Sequence, residues 1–340
     1  MRAGADNEGP DNEGLDTEGA DAEGADGEGE VEVRALSLGA AQHGGRLDRA
    51  LAELLPEFSR SHLQQLIGAG AVELSGRAGV KPAQRVRAGD TVRVTLRPTA
   101  EAQAFRPEPM ALVTLYEDEH LRVLDKPAGL VVHPAPGHWS GTLLNGLLAA
   151  DPRAAHLPRA GIVHRLDKDT SGLMVVARSR PAMDALVRQI AARDVRREYL
   201  ALAHRVWSGP AQRTVEAAIG RDPLHRQRMA VVDPAQHAGK PARTTITWLA
   251  DAGAGCLVRC ALHTGRTHQI RVHMAHLGHP LVGDGLYGGA PAAGLGRQAL
   301  HAELLAFRHP VHGDSLAFRA GLPEDLHAAL AAWGLRYNPA

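Results

Sequence analysis

The chain has 340 residues, equal numbers of acids and bases, 44% hydrophobic residues and 22% charged residues. This composition is that of a folded chain of about two domains. It contains no run of about 18 uncharged apolar residues, which excludes a membrane-spanning helix. After Met1-Arg2-Ala3 the sequence turns acidic without the apolar core of a secretion signal, so the cytoplasm is the expected compartment. The only cysteines, Cys256 and Cys260, stand four apart in a segment that reads as extended. That spacing is about 13 Å at roughly 3.3 Å per residue, beyond the reach of a disulfide. Two cysteines also make no Cys-based zinc site.

The neutral total hides a division. Residues 1–33 carry twelve acids and one base, a net −11, while the remainder carries 26 acids and 37 bases, a net +11. A basic body points to a polyanion such as nucleic acid. The 34 arginines against four lysines, with abundant alanine, also fit a genome-composition bias.

Residues 6–30 repeat Asp-x-Glu-Gly-x five times with Leu15 as the one large apolar residue. Such a segment buries too little to offset the entropy of ordering and is expected to be a disordered acidic tail. It lacks the 12-residue loop and terminal glutamate of a calcium site. Residues 34–98 read as a small module. Leu47, Leu51, Leu54, Leu55 and Phe58 recur at helical spacing, and Ser61 with Gln64 forms a capping box for a second helix over Leu63–Ile67. Val72 and Leu74, a turn at Gly76, and alternating Val92, Val94 and Leu96 give a hairpin. Arg46, Arg49, Arg60, His62, Arg77, Lys81, Arg85 and Arg87 rim this module, as phosphate contacts or as a solvated basic face. A linker over Pro98–Pro109 follows.

The larger body is rich in short β signals. Strands are expected at 121–124, 130–132, 162–163, 173–176, 199–206, 244–249, 256–263 and 270–273, and a helix over Pro181–Ala192. No βαβ rhythm appears, so the expectation is an α+β fold with a mainly antiparallel sheet.

Two polar stretches carry the chemistry. His164-Arg165-Leu166-Asp167-Lys168-Asp169-Thr170-Ser171-Gly172-Leu173 is a dense turn between two β-like runs. A carboxylate beside arginine has its pKa lowered by about 1–3 units, which suits a nucleophile or charge stabiliser rather than a general acid. A turn of this kind also serves as a plain capping network, with Asp167 and Asp169 bonding backbone amides. The second stretch runs from His263 to Met274. On a strand over 270–273, Arg271 and His273 share a face, and one of its arginines can be aimed at a distant carboxylate. Histidines 263, 268, 273, 276 and 279 crowd together, yet no carboxylate lies between them and no His-Glu-x-x-His occurs. An RNA-facing or structural role suits them better than a metal. Gly283-Asp284-Gly285-Leu286-Tyr287-Gly288 matches G-x-G-x-x-G, but the Pro/Ala/Gly-rich run after it opposes the helix that a dinucleotide site needs. A phosphate-binding P-loop, a G-x-S-x-G elbow and a reactive-cysteine context are all missing.

Several blocks in order resemble the RluA-type RNA pseudouridine synthases, closest to those acting on large-subunit ribosomal RNA. They are Arg46-Leu47-Asp48-Arg49-Ala50-Leu51, the stretch Asp125–Pro134, the His164–Leu173 turn, Arg197-Glu198-Tyr199, His263–His273, His276–Leu281 and Gly283–Gly288. The likeness covers residues 40–340. It implies a pseudouridine synthase fold over residues 99–340, preceded by an S4-like RNA-binding domain over 34–98, with residues 1–33 as the disordered tail. It further implies isomerisation of uridine to pseudouridine in RNA, with 23S ribosomal RNA or a ribosomal particle as partner, no cofactor, no metal, no membrane and a monomeric state. By the resemblance Asp167 is the essential aspartate, which attacks the sugar or removes a sugar proton. Arg271 is its partner, Tyr199 packs on the base, Ile270 is an apolar wall, and Arg165 stands beside the displaced nucleotide. Val72-Glu73-Leu74-Ser75-Gly76 departs from the family's apolar–Val-Asn-Gly turn. The competing readings are a non-catalytic RNA-binding or ribosome-assembly factor, a tRNA substrate, and a hydrolase using Asp167 with Asp169. Intact Asp167, Tyr199 and Arg271 oppose the first, and the closeness of the two acids opposes the last.

Overall fold

The computed structural model describes residues 32–96, 104–135, 138–225 and 227–338. The acidic repeat, Arg97 and residues 98–103 of the expected linker lie outside them. Contacts divide the chain into two units, residues 1–99 and 100–340.

The first unit is a three-stranded antiparallel sheet with two helices. Its elements are β1 (Glu32–Ser37), α1 (Leu47–Leu54), α2 (Arg60–Gly68), β2 (Val72–Leu74) and β3 (Thr91–Leu96), with sheet order β1-β3-β2. Leu47, Leu51, Leu55, Leu63, Val72 and Val94 are fully buried between the layers. The second helix starts earlier than its sequence suggests. Ser59, not Ser61, is the cap, accepting from the His62 amide at 3.3 Å. Asp48 is fully buried and accepts from Arg46 at 3.0 Å, Arg60 at 2.9 Å and Gln64 at 2.5 Å. These donors hold its carboxyl well below the usual range, and they spend two of the expected phosphate-binding arginines on an internal acid.

The second unit is built on one nine-stranded sheet. In chain order its elements begin with β4 (Val113–Glu117), β5 (Leu121–Lys126), α3 (Leu143–Ala150), β6 (Ser171–Ala177), α4 (Arg180–Ala192) and β7 (Arg196–His204). They continue with β8 (Gln212–Glu216), β9 (Ile219–Arg221), β10 (Met229–Val231), β11 (Gly239–Lys240), β12 (Arg243–Ala252) and β13 (Gly255–Leu262). The last are α5 (Gln269–His276), β14 (Leu300–Arg308), β15 (Ser315–Arg319) and α6 (Glu324–Ala332). The order is β4-β5-β6-β14-β7-β13-β12-β8, with β15 on the far half of β14, and β9–β11 form a small separate sheet. Among the described residues every strand pairing is antiparallel except β6 with β14. All seven residues of β6 are buried, because α4 covers one face and the core around α3 covers the other.

The parallel step positions the site. Ser171 and Gly172 open β6 directly after the polar turn and pair with His301 and Ala302. Gly172 has φ +110°, and a Cβ there would lie 2.3 Å from the Ala302 carbonyl oxygen, so only glycine lets the turn run into the sheet. Three expected strands are corrected. Residues 130–132 form a loop whose Val131 and Val132 carbonyls accept from Leu143 and Leu144, and Ile162 makes a single bridge to Val176. The expected strand at 270–273 is the helix α5. All six residues from Gln269 to Met274 are buried, so this helix has no polar face to reveal a 3.6-residue period.

Candidate active site

A cavity of about 470 Å³ opens at the end of β6, in the size range of small-ligand sites. Arg165, Asp167, Tyr199, Ile270 and Arg271 all line it. They come from the polar turn, the middle of β7 and the first turn of α5.

The turn carrying Asp167 is held by its carbonyls. The Asp167 carbonyl accepts from the Thr170 amide at 3.1 Å, Lys168 from Lys126 Nζ at 3.0 Å, and Asp169 from Arg297 Nη1 at 3.0 Å. Lys126 is 1% exposed and also donates to the Pro127 and Leu130 carbonyls at 2.8 and 3.0 Å. Burial pulls its ammonium down to about 8, against the pull of Asp169 and Asp167. The turn is thus fixed from behind, and the Asp167 side chain faces the cavity.

α5 delivers the partner. Gln269 shapes the helix start: its Oε1 accepts from Thr264 Oγ1 at 2.7 Å and the Arg266 amide at 3.0 Å, while its Nε2 donates to Thr244 Oγ1 at 2.8 Å. Two residues on, past Ile270, Arg271 Nη1 donates to Asp167 Oδ2 at 2.9 Å. In a helix Arg271 and His273 point apart, so the shared face expected from a strand does not exist. His273 turns inward to Thr244 Oγ1 at 2.9 Å.

Arg271 is itself clamped by Asp284, which sequence reasoning missed. Its Nε and Nη2 donate to the two Asp284 oxygens at 2.7 and 2.8 Å, a bidentate pair in which Asp284 is 2% exposed. Burial works against the Arg271 charge, but Asp284 and then Asp167 outweigh it and push its pKa above the usual arginine value. Tyr287 lies under the guanidinium, ring centroid 5.0 Å from Cζ. Its hydroxyl accepts from the Met229 amide at 3.0 Å and lies 2.8 Å from His268 Nδ1. His268 Nε2 lies 3.9 Å from Asp167 Oδ1. Burial lowers the His268 pKa, with Asp167 opposing, so a neutral ring fits this pattern. The glycine-rich stretch Gly283–Gly288 therefore holds an arginine clamp, and its only helical piece is a short 3-10 turn over Gly285–Tyr287. The signal available in the sequence was the acid set between its first two glycines.

Among the described residues, Asp167 Oδ1 accepts no direct hydrogen bond, so one carboxylate oxygen is available to a ligand while the other is held. No backbone amide among them donates to this side chain, unlike a capping network. Tyr199 is 6% exposed at the floor, flanked by Cys260 of β13 and Ala302 of β14. Burial raises its phenol, Arg197 opposes, and Asp167 adds to the rise. Arg165 is exposed at the rim and Ile270 is buried in the wall. The crowded histidines part company: His263 meets Thr245 at 2.9 Å and His279 the His204 carbonyl at 3.2 Å. Among the described residues no group of three or more His, Cys, Asp or Glu could hold a metal ion, and no helix is long and apolar enough to cross a membrane.

Comparison with known proteins identifies relatives of the chain. Residues 120–276 match the RNA pseudouridylate synthase family and residues 45–92 the S4 domain. The chain is 49% identical over 299 residues to the ribosomal large subunit pseudouridine synthase D of Neisseria meningitidis serogroup A, covering 85% of this chain and 78% of that one. It is 50% identical over 307 residues to the protein of the same name from Xylella fastidiosa, covering 86% and 90%. The solved structure of human RNA pseudouridylate synthase domain containing 1 is similar with a TM-score of 0.53 and 28% identity, over 66% of this chain and 90% of that one. With an aspartate–arginine pair in a cavity of the matched segment and an RNA-binding module before it, the chain belongs to the RNA pseudouridine synthases, enzymes that isomerise uridine within RNA.

Proposed function

We propose that this enzyme acts on large-subunit (23S) ribosomal RNA, in the cytoplasm and as a monomer. Residues 34–98 serve RNA docking, residues 99–340 catalysis, and residues 1–33 form an acidic appendage. The names of its relatives support the substrate. The single observation that carries the chemistry is the gathering of Asp167, Arg271 and Tyr199 around one nucleoside-sized cavity.

A stacked uridine must first be turned out of its helix, at a cost of a few kcal/mol. Exposed Arg159, Arg165 and Arg193 at the rim suit the flanking phosphates, and Arg165 suits the space the base leaves. Tyr199 offers the extruded base an aromatic face worth about 1–3 kcal/mol, and Ile270 closes the wall. Arg271 holds one oxygen of Asp167, and the free Oδ1 meets the ribose. Attack on the sugar carbon and removal of a sugar proton both need that oxygen. The base–ribose bond breaks with its electron pair passing to uracil N1. The base then turns, C5 bonds to the sugar carbon, the C5 proton leaves and N1 takes up a proton, so the product is an isomer. The buried surroundings strengthen the ion pair and keep water from the cleaved sugar.

Pseudouridine mapping of ribosomal RNA from a strain lacking the gene tests the substrate. Loss of sites in 23S RNA, restored by the intact gene, is expected. An unchanged ribosomal map with sites lost in tRNA would move the assignment to tRNA.

A further inference from the structure

Arg197 is a buried guanidinium that the chemistry above leaves without a task. It sits two residues before Tyr199 on β7, on the same face, and lines the same cavity. It is 7% exposed, and among the described residues its Nε is buried without a hydrogen-bond partner and no carboxylate pairs with it. The other buried arginines among the described residues differ: Arg122 has Glu117, and Arg271 has Asp167 and Asp284. Burying a lone cation is costly, so an unpaired one at the floor of a cavity marks a place where an anion arrives. The guanidinium packs against Gly265, where a Cβ would lie 3.1 Å from Arg197 Nη1.

Position decides which anion. Phosphates reach the exposed rim arginines, whereas Arg197 lies deep beside the phenol on which the base is to stack. Resting on the proposed reading of the cavity as a uridine site, we propose that Arg197 binds the detached uracil, its guanidinium donating to an exocyclic oxygen of the anionic base. When the bond from ribose to N1 breaks, the electron pair and negative charge pass to the ring and spread onto those oxygens. The charge is discharged when C5 bonds to the sugar carbon, and loss of the C5 proton restores it until N1 takes up a proton. A donor fixed at this point acts where charge develops and is strongest in a dry site.

The test compares Arg197→Gln and Arg197→Lys with the wild type in single-turnover isomerisation of an RNA substrate, with RNA Kd at several salt concentrations and thermal midpoints measured alongside. The glutamine variant is expected to slow isomerisation by roughly 10²-fold. Its Kd stays within about twofold, its salt slope is unchanged and its midpoint is not lowered, because an unpaired buried charge has been removed. The lysine variant recovers part of the rate. A weaker Kd with a salt slope reduced by about one and an intact rate would make Arg197 a phosphate contact and overturn the inference. A slow variant with a lowered midpoint and no recovery by lysine would make it structural and overturn it too. Asp167→Asn, run in parallel, separates the two readings. If it stays active, the cavity reading falls and this inference with it. If it is inactive while Arg197→Gln runs at the wild-type rate, only the inference about Arg197 falls.

Discussion

Asp284→Asn is the perturbation that most sharply probes the arginine clamp. The asparagine keeps the shape of the side chain but offers one acceptor oxygen, so one of the two bonds at 2.7 and 2.8 Å is lost and the buried guanidinium loses a full charge partner. Breaking a buried ion pair by removing one partner costs about 3–5 kcal/mol. The surviving bond and the second partner Asp167 place the expected loss at the lower end, about 3 kcal/mol. At about 2–4 °C per kcal/mol for a unit of this size, the melting transition of the second unit falls by about 6–12 °C. Freed from its clamp, Arg271 also shifts relative to Asp167, and a misplacement of about 1 Å costs up to about 10²-fold in rate. RNA affinity stays near the wild-type value, since Asp284 is 2% exposed. Scanning calorimetry and single-turnover isomerisation read both effects. A variant that melts and turns over like the wild type would refute the view that Asp284 holds Arg271 in place.

Other outcomes follow from the same geometry. Lys126→Met strips the Lys168 carbonyl of its buried donor and loosens the turn bearing Asp167, so kcat falls by about 10²-fold with little change in RNA Kd; an unchanged kcat would show that the turn is fixed without it. Tyr199→Ala removes the stacking platform and lowers kcat/KM by about 1–3 kcal/mol in free-energy terms, whereas Tyr199→Phe restores substrate binding; equal behaviour of the two variants would contradict stacking. Burial lowers His164 to about 3 and His301 to about 4, while both titrate near 6.5 in the unfolded chain. As pH falls below 6.5 the unfolded state takes up protons that the folded state refuses, so the full stability present above that pH is lost toward pH 4, by up to about 1.4 kcal/mol per pH unit for each ring. Urea midpoints at pH 7 and 4.5 measure this, and a flat profile would mean the rings protonate freely in the fold.

Much of the site was legible because its residues carry their chemistry in the sequence. A turn holding Arg165, Asp167 and Lys168 between two apolar runs is conspicuous, and so is the arginine-bearing stretch His263–Met274. What could not be read was geometry set by distant partners. The segment 270–273 alternates β-branched and polar residues as a strand does, yet Gln269, bonded to Thr244 and Thr264, starts a helix whose first six residues are all buried. The role of Asp284 depends on a guanidinium thirteen residues earlier, and nothing in the pattern Gly283–Gly288 announces it. Ser61 and Gln64 satisfied a capping pattern, but the backbone turned two residues sooner and Gln64 was drawn to the buried Asp48. Strands such as β14 escaped notice because sheet centres, buried on both faces, lose the alternation that reveals a half-exposed strand.

The central claim is that the Asp167 carboxylate performs the chemistry while other groups bind the RNA. Asp167→Asn changes one charge and leaves the shape intact, so single-turnover pseudouridine formation together with RNA Kd measures it directly. The expected result is no detectable product with an RNA affinity within severalfold of the wild type. Product formed at a rate near that of the wild type would contradict it.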